Sequence, residues 1–132
     1  MRKLFLVVAF VAVPTMAAAS GADGVWSSEK DKHGGYLEIT IAPCESDAKL
    51  TCGVISRAFG KSGEDPNYAN LGKKIIEGMK DHGDGTYSGG TIWDPVHDKV
   101  FKSKMTLKGD ELDVDGCVSF FCEGQHWQRV AR

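Results

Sequence analysis

The sequence has no excess of positive charge and no long internal apolar run. Its 16 Lys and Arg residues stand against 18 Asp and Glu, a formal net charge of −2. This composition lacks the electrostatic footprint that binding to nucleic acid or to an anionic membrane surface would require. Four prolines are too few for a collagen-like or disordered chain. After Val13, no apolar run approaches the roughly 20 residues of a membrane-spanning helix.

Reactive motifs are also missing. The sequence contains no Gly-x-Ser-x-Gly nucleophile elbow, no pair of histidines at metal-ligand spacing and no Cys-x-x-Cys pair. His33, His82 and His97 lie beside glycine or aspartate in apparent turns, and His126 falls on the predicted outer face of a strand. We therefore expect no catalytic residue, no metal and no cofactor, and an enzyme is the least favoured functional class.

The first 19 residues have the three parts of a secretory signal peptide. A basic start, Met1-Arg2-Lys3, precedes an apolar stretch from Leu4 to Val13 and a small-residue segment that ends at Ala19. Cleavage after Ala19 or after Ala22 fits this pattern equally well. We expect a soluble, exported protein with one mature domain over residues 20–132. Loss of the basic start leaves 14 basic and 18 acidic residues, a net charge of −4.

Export determines how the four cysteines are interpreted. An even number of cysteines in a small exported chain predicts disulfides rather than a metal site. Three pairings are possible, and the local one joins Cys44 to Cys52 and Cys117 to Cys122. The two closed loops would hold about nine and six residues, and each disulfide would stabilise the fold by roughly 2–3 kcal/mol. We predict this local pairing.

Glycine-rich turns separate many short segments with strand periodicity. The 16 glycines exceed the roughly 7% average and mark tight turns. Strict alternation over residues 36–41 places Leu37, Ile39 and Ile41 on one face. Residues 60–72 show no periodicity and are predicted to form a long connection. The strands predicted in this way cover residues 24–28, 36–41, 51–58, 74–80, 85–94, 100–107, 111–116 and 123–130. They predict an all-β fold, an antiparallel up-and-down barrel of eight strands with disulfide bonds.

One hairpin register satisfies both faces of the sheet. With Gly109-Asp110 as a two-residue type II′ turn, Leu107 faces Leu112 and Met105 faces Val114. Pairing the last two cysteines then places Leu112 opposite Trp127 and Val114 opposite Gln125. The inner face built in this way describes either the wall of a ligand pocket or a filled core. Its predicted members are Leu37, Ile39, Ile41, Ile55, Ile92, Phe101, Met105, Leu107, Leu112, Val114, Gln125 and Trp127.

The two ends of the mature domain predict how the barrel closes. Trp26 lies near its start and Arg129 near its end, and pairing of the first and last strands would bring the guanidinium over the indole. A Gly-x-Trp start with a late arginine resembles the closure signature of lipocalins.

A second resemblance covers nearly the whole mature chain. It is carried by Gly24-x-Trp26, Cys52-Gly53-x-Ile55, the loop over residues 65–70, Gly89-Gly90-x-Ile92-x-Asp94-Pro95 followed by Lys99-x-Phe101, Leu112-x-Val114-x-Gly116, and Trp127-x-Arg129. In this order, these motifs resemble the bacterial exported family called domain of unknown function 2147. The resemblance implies a small lipocalin-like barrel in the bacterial periplasm or outside the cell, with a small-ligand pocket, and it implies no particular reaction. Lys73 and Lys74 stand where the family tends to have an arginine.

These observations favour a non-catalytic exported barrel that binds a small hydrophobic or amphipathic molecule such as an acyl chain. The alternative is an envelope or secreted interaction module with a solid barrel, which meets a protein partner through residues 60–72 or through Phe120-Phe121. Two adjacent phenylalanines at a turn mark a contact if they are exposed, and core if they fold back. Neither interpretation involves nucleic acid or an integral membrane protein.

Overall fold

The computed structural model describes residues 8–9 and 21–131. All regular structure in this part of the chain is β, as predicted. The strands are β1 (Gly24–Ser27), β2 (Tyr36–Pro43), β3 (Leu50–Gly60), β4 (Gly63–Glu64), β5 (Lys74–Asp81), β6 (Thr86–Asp94), β7 (Lys99–Lys108), β8 (Glu111–Val118) and β9 (Phe121–Arg129). The predicted signal peptide lies outside the described residues except for Val8 and Ala9. Among the described residues, no helix has the length and apolar character needed to cross a membrane.

Eight of the strands form a closed antiparallel barrel. Strands that follow one another along the chain are paired, β3 pairs with β5, and the ring closes where β1 pairs with both β2 and β9. This confirms the predicted eight-stranded barrel. The additional strand β4 is two residues long and pairs with the last residues of β3. It falls within the connection predicted over residues 60–72.

The hairpin register follows the sequence pattern. Leu107 pairs with Leu112 and Met105 with Val114, around a turn in which Gly109 has a φ of 63°. A positive φ at the first turn position requires glycine or a similarly permissive residue, as expected for a type II′ turn. In the next hairpin, Leu112 pairs with Trp127. Alternation and turn chemistry therefore sufficed to predict this part of the sheet.

Both predicted disulfides are present. Cys44 is bonded to Cys52 beside the β2–β3 turn, and Cys117 to Cys122 across β8 and β9. The second pair lies one residue pair inside the hairpin end, because Val118 and Phe121 extend the two strands beyond the predicted bounds. Among the described residues, no cysteine is free.

Up-and-down topology gives the barrel two distinct ends. The closed end carries the β2–β3, β5–β6 and β7–β8 turns, together with residues 21–23. The open end carries residues 28–35, the connection over residues 65–73, the β6–β7 turn (residues 95–98) and the β8–β9 turn (residues 119–120). These names are used below.

Candidate functional site

Most residues predicted to line the barrel are sealed inside it. Seven of the twelve are at most 2% exposed and belong to one hydrophobic cluster. They are Ile39, Ile41, Ile55, Met105, Leu112, Val114 and Trp127. At this depth the inner face is a packed core.

The other predicted lining residues are reached by solvent, and most of them lie toward the open end. Leu37, Ile92 and Phe101 are half-buried near the strand ends that meet there, whereas Leu107 is half-buried near the closed end. Gln125 is exposed, and its Oε1 accepts a 2.9 Å hydrogen bond from Trp127 Nε1. The inner face is therefore sealed in the middle of the barrel. Toward the open end, which we call the mouth, solvent reaches it.

A glycine lies at that mouth. Gly116 occupies an inward position on β8, two residues beyond Val114. A Cβ placed there would lie 3.3 Å from Ile92 Cγ2 and 3.5 Å from Phe101 Cβ, so these two side chains pack directly over the glycine backbone. We call this half-buried apolar site, formed by Ile92 and Phe101 over Gly116, the mouth recess.

The closed end is sealed by the predicted contact between Trp26 and Arg129. The guanidinium carbon lies 4.3 Å from the centre of the indole ring, which is fully buried. Arg129 also donates hydrogen bonds to the carbonyl oxygens of Gly21 and Asp23, at 3.2 and 3.1 Å. The indole N–H donates to Ala22 O at 2.8 Å. The chain entering β1 is thus held from both sides.

A tyrosine completes this seal and was not among the predicted core residues. Tyr87 is 3% exposed, and its hydroxyl oxygen accepts a 2.9 Å hydrogen bond from the Ala22 N–H. Burial raises the pKa of this phenol above its usual value. A Cβ at Gly21 would lie 2.2 Å from the hydroxyl oxygen, so only glycine fits at this approach.

The sequence pattern did not identify two further core residues, because a glycine interrupts the alternation of β5. Ile76 and Met79 are both fully buried although they are three positions apart. Gly78 between them has a φ of 70°, a conformation typical of a bulge, and it returns Met79 to the inner face. The opposing Gly90 approaches so closely that a Cβ there would lie 2.3 Å from Glu77 O.

A buried carboxylate lies on the outer side of β2. Glu38 is 4% exposed, and its Oε1 lies 3.6 Å from Arg57 Nη1. Arg57 also donates two hydrogen bonds to the Glu64 carboxylate, at 2.7 and 2.6 Å, and these raise the pKa of the guanidinium. Because the three residues come from three strands, their spacing in the sequence gave no indication that they would meet. Together they attach β4 to the barrel wall.

Three side chains of metal-ligating type meet on the outer face near the β7–β8 turn. Glu111, Asp113 and His126 hold their ligand atoms within 4.8 Å of one another. His126 Nδ1 is hydrogen-bonded to Asp113, whose other oxygen lies 2.7 Å from Lys108 Nζ. The contact with Asp113 raises the pKa of His126. His126 faces outward, as expected from the sequence, and it is part of an ion-pair cluster.

The β8–β9 turn is apolar and exposed. Phe120 is 98% exposed, Phe121 83% and Val118 60%. We call these three residues the hairpin tip. Beside it, a groove of about 430 Å³ is lined by Lys99, Val100, Phe101, Lys102, Cys117, Val118 and Ser119. The phenylalanines do not fold back over the barrel, which is the arrangement that marks a contact surface.

A second depression at the open end, of about 680 Å³, has both charged and apolar lining residues. It is lined by Asp31, Lys32, His33, Gly34, Gly35, Phe59, Gly60 and Lys61. None of the twelve predicted lining residues belongs to it. The groove beside the hairpin tip contains one of them, Phe101.

Comparisons with known proteins agree with this architecture. Among solved structures, the chain is similar to protein HP1028 from Helicobacter pylori, which is described as belonging to the lipocalin family. The TM-score is 0.61 at 10% identity, over 83% of this chain and 82% of that chain. No curated protein matches the chain. At this identity the structural similarity establishes a lipocalin-like fold and nothing about the ligand.

A family model described as "Uncharacterized protein conserved in bacteria (DUF2147)" matches residues 24–129. The match extends from the first strand of the barrel to the last, and it confirms the family expected from the order of the sequence motifs. The chain belongs to the DUF2147 family.

Proposed function

We propose that this protein is a non-catalytic binding barrel that takes a small apolar or amphipathic ligand, such as an acyl chain, at its open end. The observation that carries the proposal is the gradient of exposure along the inner face. Leu112 and Val114 are sealed, whereas Ile92 and Phe101 above them remain open to solvent around Gly116. Half-buried apolar side chains that solvent can reach at the mouth of a barrel are typical of ligand sites.

The packed part of the barrel limits the size of the ligand. Trp127 and Met105 fill the barrel between the mouth recess and the closed end, so a ligand enters only the part next to the open end. The side-chain oxygen of Gln125 already accepts a hydrogen bond from Trp127. The side-chain NH2 group of Gln125 therefore remains available as a polar contact for the ligand. A short acyl segment with its polar end toward solvent fits this arrangement.

We also propose that the protein acts outside the cytoplasm, with residues 1–19 as a cleaved signal peptide. Two disulfides and no free cysteine among the described residues support this, because such bonds persist in oxidising compartments. Mass spectrometry of the protein from bacterial fractions tests the proposal. A mature chain beginning at residue 20 or 23 supports export, and an intact Met1 in the cytoplasmic fraction contradicts it.

The ligand proposal is tested by measuring the binding of a fluorescent fatty-acid probe. The wild-type protein is expected to bind the probe, and Gly116→Val is expected to abolish binding, because a side chain there displaces Ile92 and Phe101, which even a Cβ would meet at 3.3 and 3.5 Å. Thr106→Val replaces a hydroxyl by a methyl group at an outward position of β7 and serves as the control. No uptake by the wild type, or equal uptake by Gly116→Val, would overturn the proposal.

A second candidate function is docking on a partner through the hairpin tip. It is favoured by the exposure of Phe120 and Phe121, and it does not require an internal cavity. The two candidates differ in their response to mutation: Gly116→Val acts on the first, and substitutions of the tip phenylalanines act on the second.

A further inference from the structure

The hairpin tip is the most apolar projection of the open end. Phe120 and Phe121 are 98% and 83% exposed and Val118 is 60% exposed, at the turn where β8 ends and β9 begins. Single exposed apolar residues are ordinary on protein surfaces, but a contiguous apolar group indicates contact with a partner. Val100 of β7, 64% exposed, continues this surface into the adjacent groove.

The tip is held in place before it meets a partner. The Cys117–Cys122 disulfide joins the two strands, and Val118 pairs with Phe121 beyond it. A hairpin cross-linked so close to its turn loses little conformational freedom on binding. The phenylalanines are therefore presented on a rigid support.

Two lysines lie behind the apolar tip. Lys99 and Lys102 line the groove beside Val118, and among the described residues neither has a carboxylate within ion-pair distance. Two acids of the β6–β7 turn lie nearby: Asp94 contacts His97, and Asp98 accepts a hydrogen bond from the Trp93 indole. These lysines leave positive charge available next to the apolar surface.

We propose that the hairpin tip docks on the surface of an anionic lipid bilayer. Val118, Phe120 and Phe121 enter the boundary between headgroups and acyl chains, and Lys99 and Lys102 face the lipid phosphates. Exposed apolar side chains beside cations without ion-pair partners match the apolar and phosphate layers of a membrane interface. A protein interface of ordinary size covers about 800 Å² on each side, more than the three side chains of the hairpin tip supply.

This inference deepens the proposed function and rests on it in one respect. The hairpin tip and the mouth recess lie at the same end of the barrel, since Phe101 borders both the recess and the groove beside the tip. Docking at this end would bring the mouth recess to a source of acyl chains. The net charge of −2 opposes adsorption by the rest of the surface, so binding is confined to this end and weakens with added salt.

Co-sedimentation of the disulfide-bonded protein with lipid vesicles tests the proposal. We expect binding to vesicles that contain phosphatidylglycerol and weaker binding to pure phosphatidylcholine. Phe120→Ser with Phe121→Ser is expected to reduce partitioning by about tenfold or more, because two exposed aromatic side chains no longer enter the interface. Both side chains are exposed, so an unchanged melting temperature verifies that the variant is folded.

Charge reversal provides a second, independent arm. Lys99→Glu with Lys102→Glu is expected to abolish the preference for anionic vesicles. Lys49→Glu with Lys80→Glu makes the same change in charge at two exposed positions of the closed end and is expected to leave that preference in place. Equal losses in both double variants would show that only the net charge matters and would overturn docking by the open end.

The remaining outcomes separate this inference from the ligand proposal. Vesicle binding by the wild type without uptake of the soluble probe would overturn the ligand site and support docking. Probe uptake without vesicle binding would overturn docking alone. Tip-dependent self-association in sedimentation velocity without lipid, together with no vesicle binding, would assign the tip to a second copy of the chain and overturn the lipid surface.

Discussion

The two ends of the barrel differ in what their aromatic residues contact. At the closed end, the Trp26 indole is fully buried, its N–H donates a hydrogen bond and Arg129 covers its face. At the open end, Phe120 and Phe121 stand in solvent on a disulfide-bonded hairpin. The closed end thus uses its large side chains to hold the fold, whereas the open end presents them outward. We expect stability and binding to respond to mutations at opposite ends.

The largest expected effect is the loss of Trp26. Trp26→Ala empties a fully buried indole site and removes the platform under Arg129, so the free energy of unfolding should fall by about 3–5 kcal/mol. Trp93→Ala is the matched control, because this half-buried tryptophan lies near the open end with its N–H on Asp98. Chemical denaturation measures both. Equal losses would contradict the assignment of stability to the closed end.

One disulfide lies at each end of the barrel, so removing them one at a time compares the contributions of the two ends to stability. On the chain-entropy estimate, replacement of either pair by serine costs roughly 2–3 kcal/mol. The Cys44–Cys52 pair is 5% and 8% exposed, so its loss should cost more than the loss of Cys117–Cys122 in denaturant titrations. The open-end pair should instead affect vesicle binding, because it orders the hairpin tip. A larger destabilisation from the open-end pair would reverse the comparison.

Removal of the Arg129 side chain sharpens the comparison within the closed end. Arg129→Ala loses the contact with the indole face and leaves the carbonyl oxygens of Gly21 and Asp23 without this donor. We expect a loss of about 2 kcal/mol and a melting temperature lower by several degrees. Probe binding at the mouth recess should survive under native conditions. An unchanged melt would show that closure does not depend on this contact.

The smallest expected effect concerns pH. The hydrogen bond to Asp113 raises the pKa of His126 above its ordinary value of 6.5, so folding favours the protonated ring. Its contribution to stability is fully present below the unfolded-state pKa and is lost as the pH rises through the higher folded-state value. An NMR titration should place the His126 midpoint above 6.5, and Asp113→Asn should lower it. A midpoint that Asp113→Asn leaves unchanged would exclude this cause.

The parts of the fold predicted from the sequence are those governed by local periodicity. Alternation along β7 and β8 with one glycine turn was enough to pair Met105 with Val114, and the predicted Cys117–Cys122 pair then placed Leu112 opposite Trp127. Each of these relations connects residues that are close along the chain or in adjacent hairpins, so a simple period of two applies.

The parts that were not predicted depend on contacts across the barrel. The bulge at Gly78 changes which residues of β5 face inward, and the sequence alone does not reveal it. Tyr68 and Leu71, in the segment read as a polar connection, pack against the core. The sequence also left open whether the lining was a pocket or a core. In the structure the middle of this face is a packed core and its residues toward the open end are reached by solvent, a division that depends on how completely side chains from different strands meet.

The pairing of β1 with β9 has a consequence for how this domain can be attached to other structures. Gly24 and Arg129 are neighbours at the closed end, because Trp26 pairs with Arg129 across the seam. Any segment joined before Gly21 or after Val130 departs from that end. A tether on either side, natural or engineered, leaves the opposite end free and pointing away from its anchor. The same adjacency makes the domain suitable for circular permutation, with a short linker across the seam and new termini in an exposed loop.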